Sequence, residues 1–178
     1  RSTQPPCRRQ SQLCIRAGST AAVGIDLLAI RECARGLGGA LRDRQAYCAV
    51  AVKSTFVPGT AEEDVGPAIW TAAGKTREEI GLVSNPEFLR EGQAVHDFLH
   101  PDRIMIGGID EASIAVVSAT YAPFAAPIFT TTPRTAELVK YASNTLWATL
   151  VSFANEIATI CEVTPGVDVE DVMKAMHM

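Results

Sequence analysis

Apolar residues in this chain recur in two ways, as short unbroken runs and as longer stripes of helical period. The run Tyr47 to Val52 (Tyr-Cys-Ala-Val-Ala-Val) has almost no polar interruption. That is the pattern of a strand buried on both faces of a parallel sheet. Ile80 to Ser84, Arg103 to Ile106 and Pro127 to Thr130 read as further short strands. Between the runs the period lengthens. Leu27, Ile30, Ala34, Leu37 and Leu41 predict a helix capped by Asp26 and ending near Arg42. Pro58-Gly59-Thr60 opens a second helix, with Thr60 as cap and Glu62, Glu63 and Asp64 in the first turn, where the helix dipole favours acids. A short helix near Glu91 to Phe98 and another from Glu111 to Tyr121 follow. Strands alternating with helices predict an α/β fold built on part of a doubly wound parallel sheet.

The last third changes character. From about Thr132 to Glu162 the positions Leu138, Tyr141, Ala142, Leu146, Thr149, Phe153, Ile157 and Ile160 keep helical spacing with no breaker. Some thirty residues at about 1.5 Å each make a helix of roughly 45 Å, too long for a crossover in a compact α/β unit. A helix of that length links domains or forms a subunit interface. Pro165-Gly166 ends it, and Asp168 caps a final helix.

Composition narrows the function classes. The chain has 178 residues, is 47% hydrophobic and 20% charged, and carries a net charge of −4. An acidic balance excludes nucleic acid as a main partner, and no apolar run approaches the ~20 residues of a membrane span. The five cysteines, Cys7, Cys14, Cys33, Cys48 and Cys161, are scattered and show no C-x-x-C spacing, so neither a zinc site nor a disulfide framework is expected. They fit a reducing cytosol. Residues 1–20 stand apart, with Arg1, Arg8, Arg9 and Arg16 and no acid before Asp26. Such a start has the composition of a transit peptide, but Pro5-Pro6 breaks an amphipathic helix. The stretch is read as a disordered or misread leader.

The chemistry gathers at Asn85-Pro86-Glu87-Phe88-Leu89-Arg90-Glu91-Gly92, followed by Pro101-Asp102-Arg103. Two carboxylates four residues apart stand just beyond a buried strand, where ligands of α/β sheets usually sit. By spacing alone, Glu87 and Glu91 could equally be a solvated pair on one face of a helix. Lys140 and Asn144, also four apart, share one face of the long helix, and their apolar neighbours make them a polar insertion. Asp102 and Arg103 read as turn-forming residues, and His96, His100 and His177 as solvated ones.

Taken together, Asn85-Pro-Glu-Phe-Leu-Arg-Glu-Gly with Pro101-Asp-Arg-Ile, Lys53-Ser-Thr and Ala136-Glu-Leu-Val-Lys-Tyr-Ala-Ser-Asn144 resemble the UDP-glucose/GDP-mannose dehydrogenase family. The resemblance runs from about Gly24 onward, with the motifs in matching order. It implies a Rossmann-like domain, NAD as cofactor, and oxidation of the C6 alcohol of a nucleotide sugar to a carboxylate by two hydride transfers. UDP-glucose is the preferred substrate and GDP-mannose the alternative. The N-acetylmannosamine branch fits less well, because it tends to place Arg after the Pro-Glu.

Carried over residue by residue, the resemblance makes Glu87 an acid/base residue that takes part in hydrolysing a thioester. Glu91 touches both ligands, and Phe88, Leu89 and Arg90 lie along the sugar nucleotide. Lys140 stabilises an oxyanion, and Asn144 orients the sugar or a water. Ser54 and Thr55 contact the cofactor, Thr55 also placing the hydrolytic water. No metal is implied, and the family's homodimer forms through the long helix.

Two family features are missing from the sequence. There is no Gly-x-Gly-x-x-Gly, since Gly36-Leu-Gly-Gly39 lies inside a helix, and there is no Gly-rich segment ending Cys-Phe-Pro-Lys-Asp with its nucleophilic cysteine. The expected organisation is therefore an atypical leader at 1–20, the second half of an NAD-binding domain at 21–131, and the start of a central helical domain at 132–178. As a fragment, the chain is not expected to be competent alone. A non-catalytic remnant acting as an oligomerisation module is the alternative from a different class. A dehydrogenase of the 6-phosphogluconate type, which shares a long interdomain helix, is a more distant one.

Overall fold

A computed structural model describes residues 27–176. The leader, Asp26 and His177 lie outside the described residues. The order of elements is α1 (Leu28–Leu41), β1 (Cys48–Val52), a π-helical turn (Ala61–Val65) running into α2 (Gly66–Ala73), β2 (Ile80–Ser84), α3 (Ala94–Leu99), β3 (Ile104–Gly108), α4 (Glu111–Tyr121), β4 (Ile128–Thr131), α5 (Pro133–Glu162) and α6 (Val169–Met176).

The four strands form one sheet in the order β1-β2-β3-β4. β1 pairs with β2 and β3 with β4 in parallel, but β2 meets β3 antiparallel, through Val83 opposite Gly108 and Ser84 opposite Gly107. The sheet is thus mostly parallel, with one reversal at its centre. Alternation along β2 sends its side chains into two cores. Ile80 and Leu82 pack with Ile69, Ala73, Val65 and Phe56 under α1 and α2. Val83 joins Ile104, Ile106 and Val117 under α4. Helices on both faces of a mostly parallel sheet make the doubly wound arrangement.

All five residues of β2 and of β3 are buried. β1 is not, and Ala51 is exposed. The expectation of a strand buried on both faces is corrected for β1. Among the described residues β1 is an edge strand, and an unbroken apolar run does not report edge position.

A second correction concerns Thr60. It has helical backbone angles and makes no capping bond; its hydroxyl donates to Val57 O at 2.7 Å. The helix start is satisfied from elsewhere, by Glu137 of α5. One glycine of α1 serves packing: a Cβ at Gly38 would run into Ile69 O and stand 2.9 Å from Ala72 Cβ on α2.

α5 runs unbroken for 30 residues, capped by Thr132, whose side chain accepts from Thr135 N. Its buried positions are Pro133, Ala136, Glu137 and Lys140 in the first turns, then Cys161 at the far end. The first turns rest on β3, β2 and the π-helical turn. Gly107 allows that seat, because a Cβ there would meet Ala136 Cβ at 2.6 Å and Pro133 Cα at 2.9 Å. At the chain's end, Asp168 accepts from Glu170 N at 2.7 Å, capping α6 as expected.

Candidate functional site

The segment following β2 has no regular structure as far as Arg90, then turns through Glu91–Gln93 into α3. Glu87 and Glu91 are therefore not one turn apart on a helix. The segment instead continues the antiparallel path of β2 beside the start of β3. Asn85, 2% exposed, anchors it. Its Nδ2 donates to Met105 O at 2.7 Å, and its Oδ1 accepts from Lys53 Nζ at 3.0 Å and from the Tyr121 hydroxyl. Lys53 also donates to Tyr121 Oη at 2.9 Å. The carboxyl end of β1, the acidic segment and α4 are thereby tied at one point, with every polar atom of the buried amide in use.

Two residues on, Glu87 holds two contacts. Its Oε2 accepts from Leu89 N at 2.6 Å, and its Oε1 stands 3.1 Å from Lys140 Nζ. Lys140 is only 5% exposed, and a buried ammonium persists only when paired. Glu87 is its partner. Phe88 stands between two cations, with Arg103 4.2 Å and Lys140 5.4 Å from its ring centroid. Arg103 also donates to Ser143 Oγ on α5 at 3.2 Å. It was expected only to fix its own turn, but it joins the start of β3 to the acidic segment and α5.

These groups surround a cavity of about 220 Å³ whose walls include Glu87, Phe88, Arg103, Lys140, Asn144 and Trp147. Leu89 and Arg90 line it as well. The rim is held by Arg90 and Asp97, paired through Arg90 Nε at 3.0 Å, Nη2 at 2.7 Å and the backbone N–H at 2.9 Å. Those bonds keep the Asp97 carboxyl well below the usual carboxylate range and raise Arg90.

Ser54, Thr55 and Glu91 do not line the cavity. Ser54 and Thr55 follow β1 at the carboxyl edge of the sheet, and Glu91 is exposed. The structure thus gathers Glu87, Phe88, Leu89, Arg90, Lys140 and Asn144 around one space and leaves Ser54, Thr55 and Glu91 outside it. His96 is exposed beside Asp97, while His100 reaches the cavity wall. Among the described residues no group of three or more His, Cys, Asp or Glu could hold a metal ion, and no helix is long and apolar enough to cross a membrane.

Chemically, the cavity presents a buried ammonium 3.1 Å from a carboxylate oxygen of Glu87, that carboxylate, and an amide one turn along α5. That set can stabilise an oxyanion and move a proton beside it. Sequence reasoning missed Asn85, Arg103, Trp147 and Glu137. For Arg103 the Pro-Asp-Arg turn was a signal. For the others, only their partners in space identify them.

Comparison with known proteins adds family information. The profile described as "UDP-glucose/GDP-mannose dehydrogenase family, NAD binding domain" matches residues 12–125, and that of the same family's central domain matches 134–178. GDP-mannose 6-dehydrogenase of Azotobacter vinelandii is 38% identical over 169 residues, covering 94% of this chain and 38% of that protein. UDP-glucose 6-dehydrogenase AglM of Haloferax volcanii is 37% identical over 172 residues, covering 93% and 40%. Among solved structures, a ternary complex of GDP-mannose dehydrogenase from Pseudomonas aeruginosa superposes with a TM-score of 0.84 at 36% identity, over 91% of this chain and 37% of that one. A UDP-glucose dehydrogenase from Pyrobaculum islandicum gives 0.82 at 39% identity, over 91% and 37%. The chain spans 38% and 40% of the length of the two curated relatives.

Proposed function

Because the chain belongs to the UDP-glucose/GDP-mannose dehydrogenase family, we propose that its cavity is the sugar side of a nucleotide-sugar 6-dehydrogenase site, with UDP-glucose as substrate. The observation that supports this reading is the Glu87–Lys140 pair at 3.1 Å. It sits where the acidic segment faces α5, with Asn144 in the same wall. Lys140 steadies the negative charge that develops on the C6 oxygen as its proton leaves. Glu87, oriented by Leu89 N, exchanges protons with the reacting oxygens and with the water that later releases the acid. Asn144 orients the sugar, and Phe88, Leu89 and Arg90 run along it.

NAD is the cofactor of this family's domain, and when bound it supplies the hydride acceptor. The residues present fit one side of it. β1 and β2 lie parallel with their carboxyl ends side by side, the usual mouth of such a sheet. Thr55 stands there exposed, its hydroxyl making no hydrogen bond among the described residues. Ser54 and Thr55 would hold the cofactor, with Glu91 between it and the sugar. In this reading residues 21–131 are the later part of the NAD-binding domain and 132–178 the start of the central helical domain, in a cytosolic protein.

Calorimetric titration of the chain with UDP-glucose, GDP-mannose and NAD tests the proposal. UDP-glucose binding that weakens at least tenfold in Lys140→Ala is the expected result. Binding of neither sugar, or binding indifferent to Lys140, overturns it; preference for GDP-mannose reassigns the substrate. A second role is favoured by a separate observation. Leu146, Trp147, Leu150, Val151 and Phe153 are exposed along α5, an apolar stripe suited to a homodimer through that helix.

A further inference from the structure

Glu137 is 3% exposed and does not line the cavity. Among the described residues no lysine or arginine nitrogen forms an ion pair with it, since its neighbour Arg134 pairs with Glu63 at 2.7 Å and Glu62 at 3.8 Å. Its two oxygens accept backbone N–H groups instead, Gly59 N on Oε2 at 2.6 Å and Ala61 N on Oε1 at 2.9 Å. Burial pushes its carboxyl up, and the two backbone donors pull against that shift. Placing a carboxylate there costs free energy, so what it joins is informative.

It joins two parts of the site. Gly59 lies in the loop leaving β1, beyond Ser54 and Thr55, and Ala61 opens the π-helical turn that this loop leads into; Gly59 has φ of +104°, a conformation that glycine tolerates and other residues rarely adopt. On the other side, Glu137 stands three residues before Lys140, so the two lie on adjoining lines of α5. A rotation of α5 by one residue, about 100°, would turn Lys140 away from Glu87. Beside the seat of Pro133 and Ala136 on Gly107, two polar attachments oppose that rotation at this level of the helix, Glu137 on the loop backbone and Arg134 on Glu63.

We propose that Glu137 is a positioning residue: it fixes the rotation of α5 on the loop after β1 and so holds Lys140 against Glu87. This rests on the reading of Lys140 given above. Through that contact the cofactor-side loop and the sugar-side helix act as one piece.

The test is a double-substitution cycle in the chain carrying ¹³Cε-labelled lysine, the Lys140 signal being assigned by its loss in Lys140→Arg. Glu87→Gln displaces the Lys140 resonance in the unsubstituted chain. In Glu137→Gln, which keeps size but offers only one acceptor to two donors, that displacement falls by at least half. Amide exchange at Gly59 and Ala61 rises about tenfold in the same variant, as expected for a lost hydrogen bond to a charged group. If Glu137→Gln fails to fold, Glu137→Asp carries the same cycle, its shorter arm unable to reach both amides. A displacement unchanged in a folded variant overturns the proposal. Sugar titration stands apart from this cycle, so a chain that binds no nucleotide sugar refutes the assigned function while the resonance still decides the role of Glu137.

Discussion

A lysine only 5% exposed in the second turn of a helix has to be explained, because an ammonium withdrawn from water costs several kcal/mol unless its partner is well placed. Replacing both members of such a pair by apolar side chains is often neutral or stabilising, by about 1–4 kcal/mol, whereas removing one strands the charge of the other. Lys140→Met combined with Glu87→Met is therefore expected to leave the urea midpoint unchanged or raised, while UDP-glucose binding falls at least tenfold. A variant that loses stability and keeps binding would make the pair structural. Asn85 behaves in the opposite way. Its amide uses both ends, on Met105 O and on Lys53 and Tyr121, so Asn85→Ala leaves a buried carbonyl without its donor. That change should cost about 2–3 kcal/mol in urea unfolding. The sequence marks Glu87, Lys140 and Asn144 by spacing and motif, and the structure brings the three to one cavity. Asn85 was legible only as part of a motif, because nothing local distinguishes a satisfied buried amide from a turn-forming one.

The elements divide along similar lines. β2 and α4 have the bounds that the hydrophobic pattern predicts, since both are closed by turn-forming residues and packed on the sheet. The start of the π-helical turn differs from the expected Thr60 cap because its backbone is satisfied by Glu137, 76 residues away from Ala61, and no local rule sees a partner at that separation. The reversal between β2 and β3 was likewise invisible, as both strands are buried along their whole length and show no polar alternation. Seating α5 on β3 depends on Gly107, and Gly107→Ala forces the new methyl against Ala136 and Pro133. Overpacking of this kind costs about 1–3 kcal/mol, and it should also weaken the response of Lys140 to Glu87→Gln. The rim loop gives a pH prediction. Hydrogen bonds from Arg90 depress the Asp97 carboxyl, so the pair's contribution is fully present above the ordinary carboxylate value near 4. It is lost only as pH falls through the depressed one. Amide protection at Arg90 should therefore persist below pH 4 in the unsubstituted chain and be lost at every pH in Asp97→Ala, which removes the acceptor.

For the molecule as a whole, the distribution of burial along α5 decides what it does beyond the cavity. Its first turns carry Pro133, Ala136, Glu137 and Lys140 into the sheet, yet from Tyr141 to Ile160 no position is buried. Leu146, Leu150 and Phe153 lie at i, i+4 and i+7 with 59%, 42% and 45% of their surfaces exposed, so one line of the helix is apolar and open. Such a stripe on a long helix is the pattern of a surface that a second helix covers. Two copies related by a two-fold axis would cover it with the same residues from each. The cavity shares this face through Trp147, so association would also shelter one wall of the site from water. Sedimentation velocity should then find a dimer for the unsubstituted chain. Leu146→Asp with Leu150→Asp should give a monomer of unchanged helix content, since neither side chain supports the fold. A monomer for the unsubstituted chain across the micromolar range would leave the stripe without its partner and remove the dimer from the proposed function. The cavity chemistry at Lys140, which lies on the sheet side of the helix, would still stand on its own test.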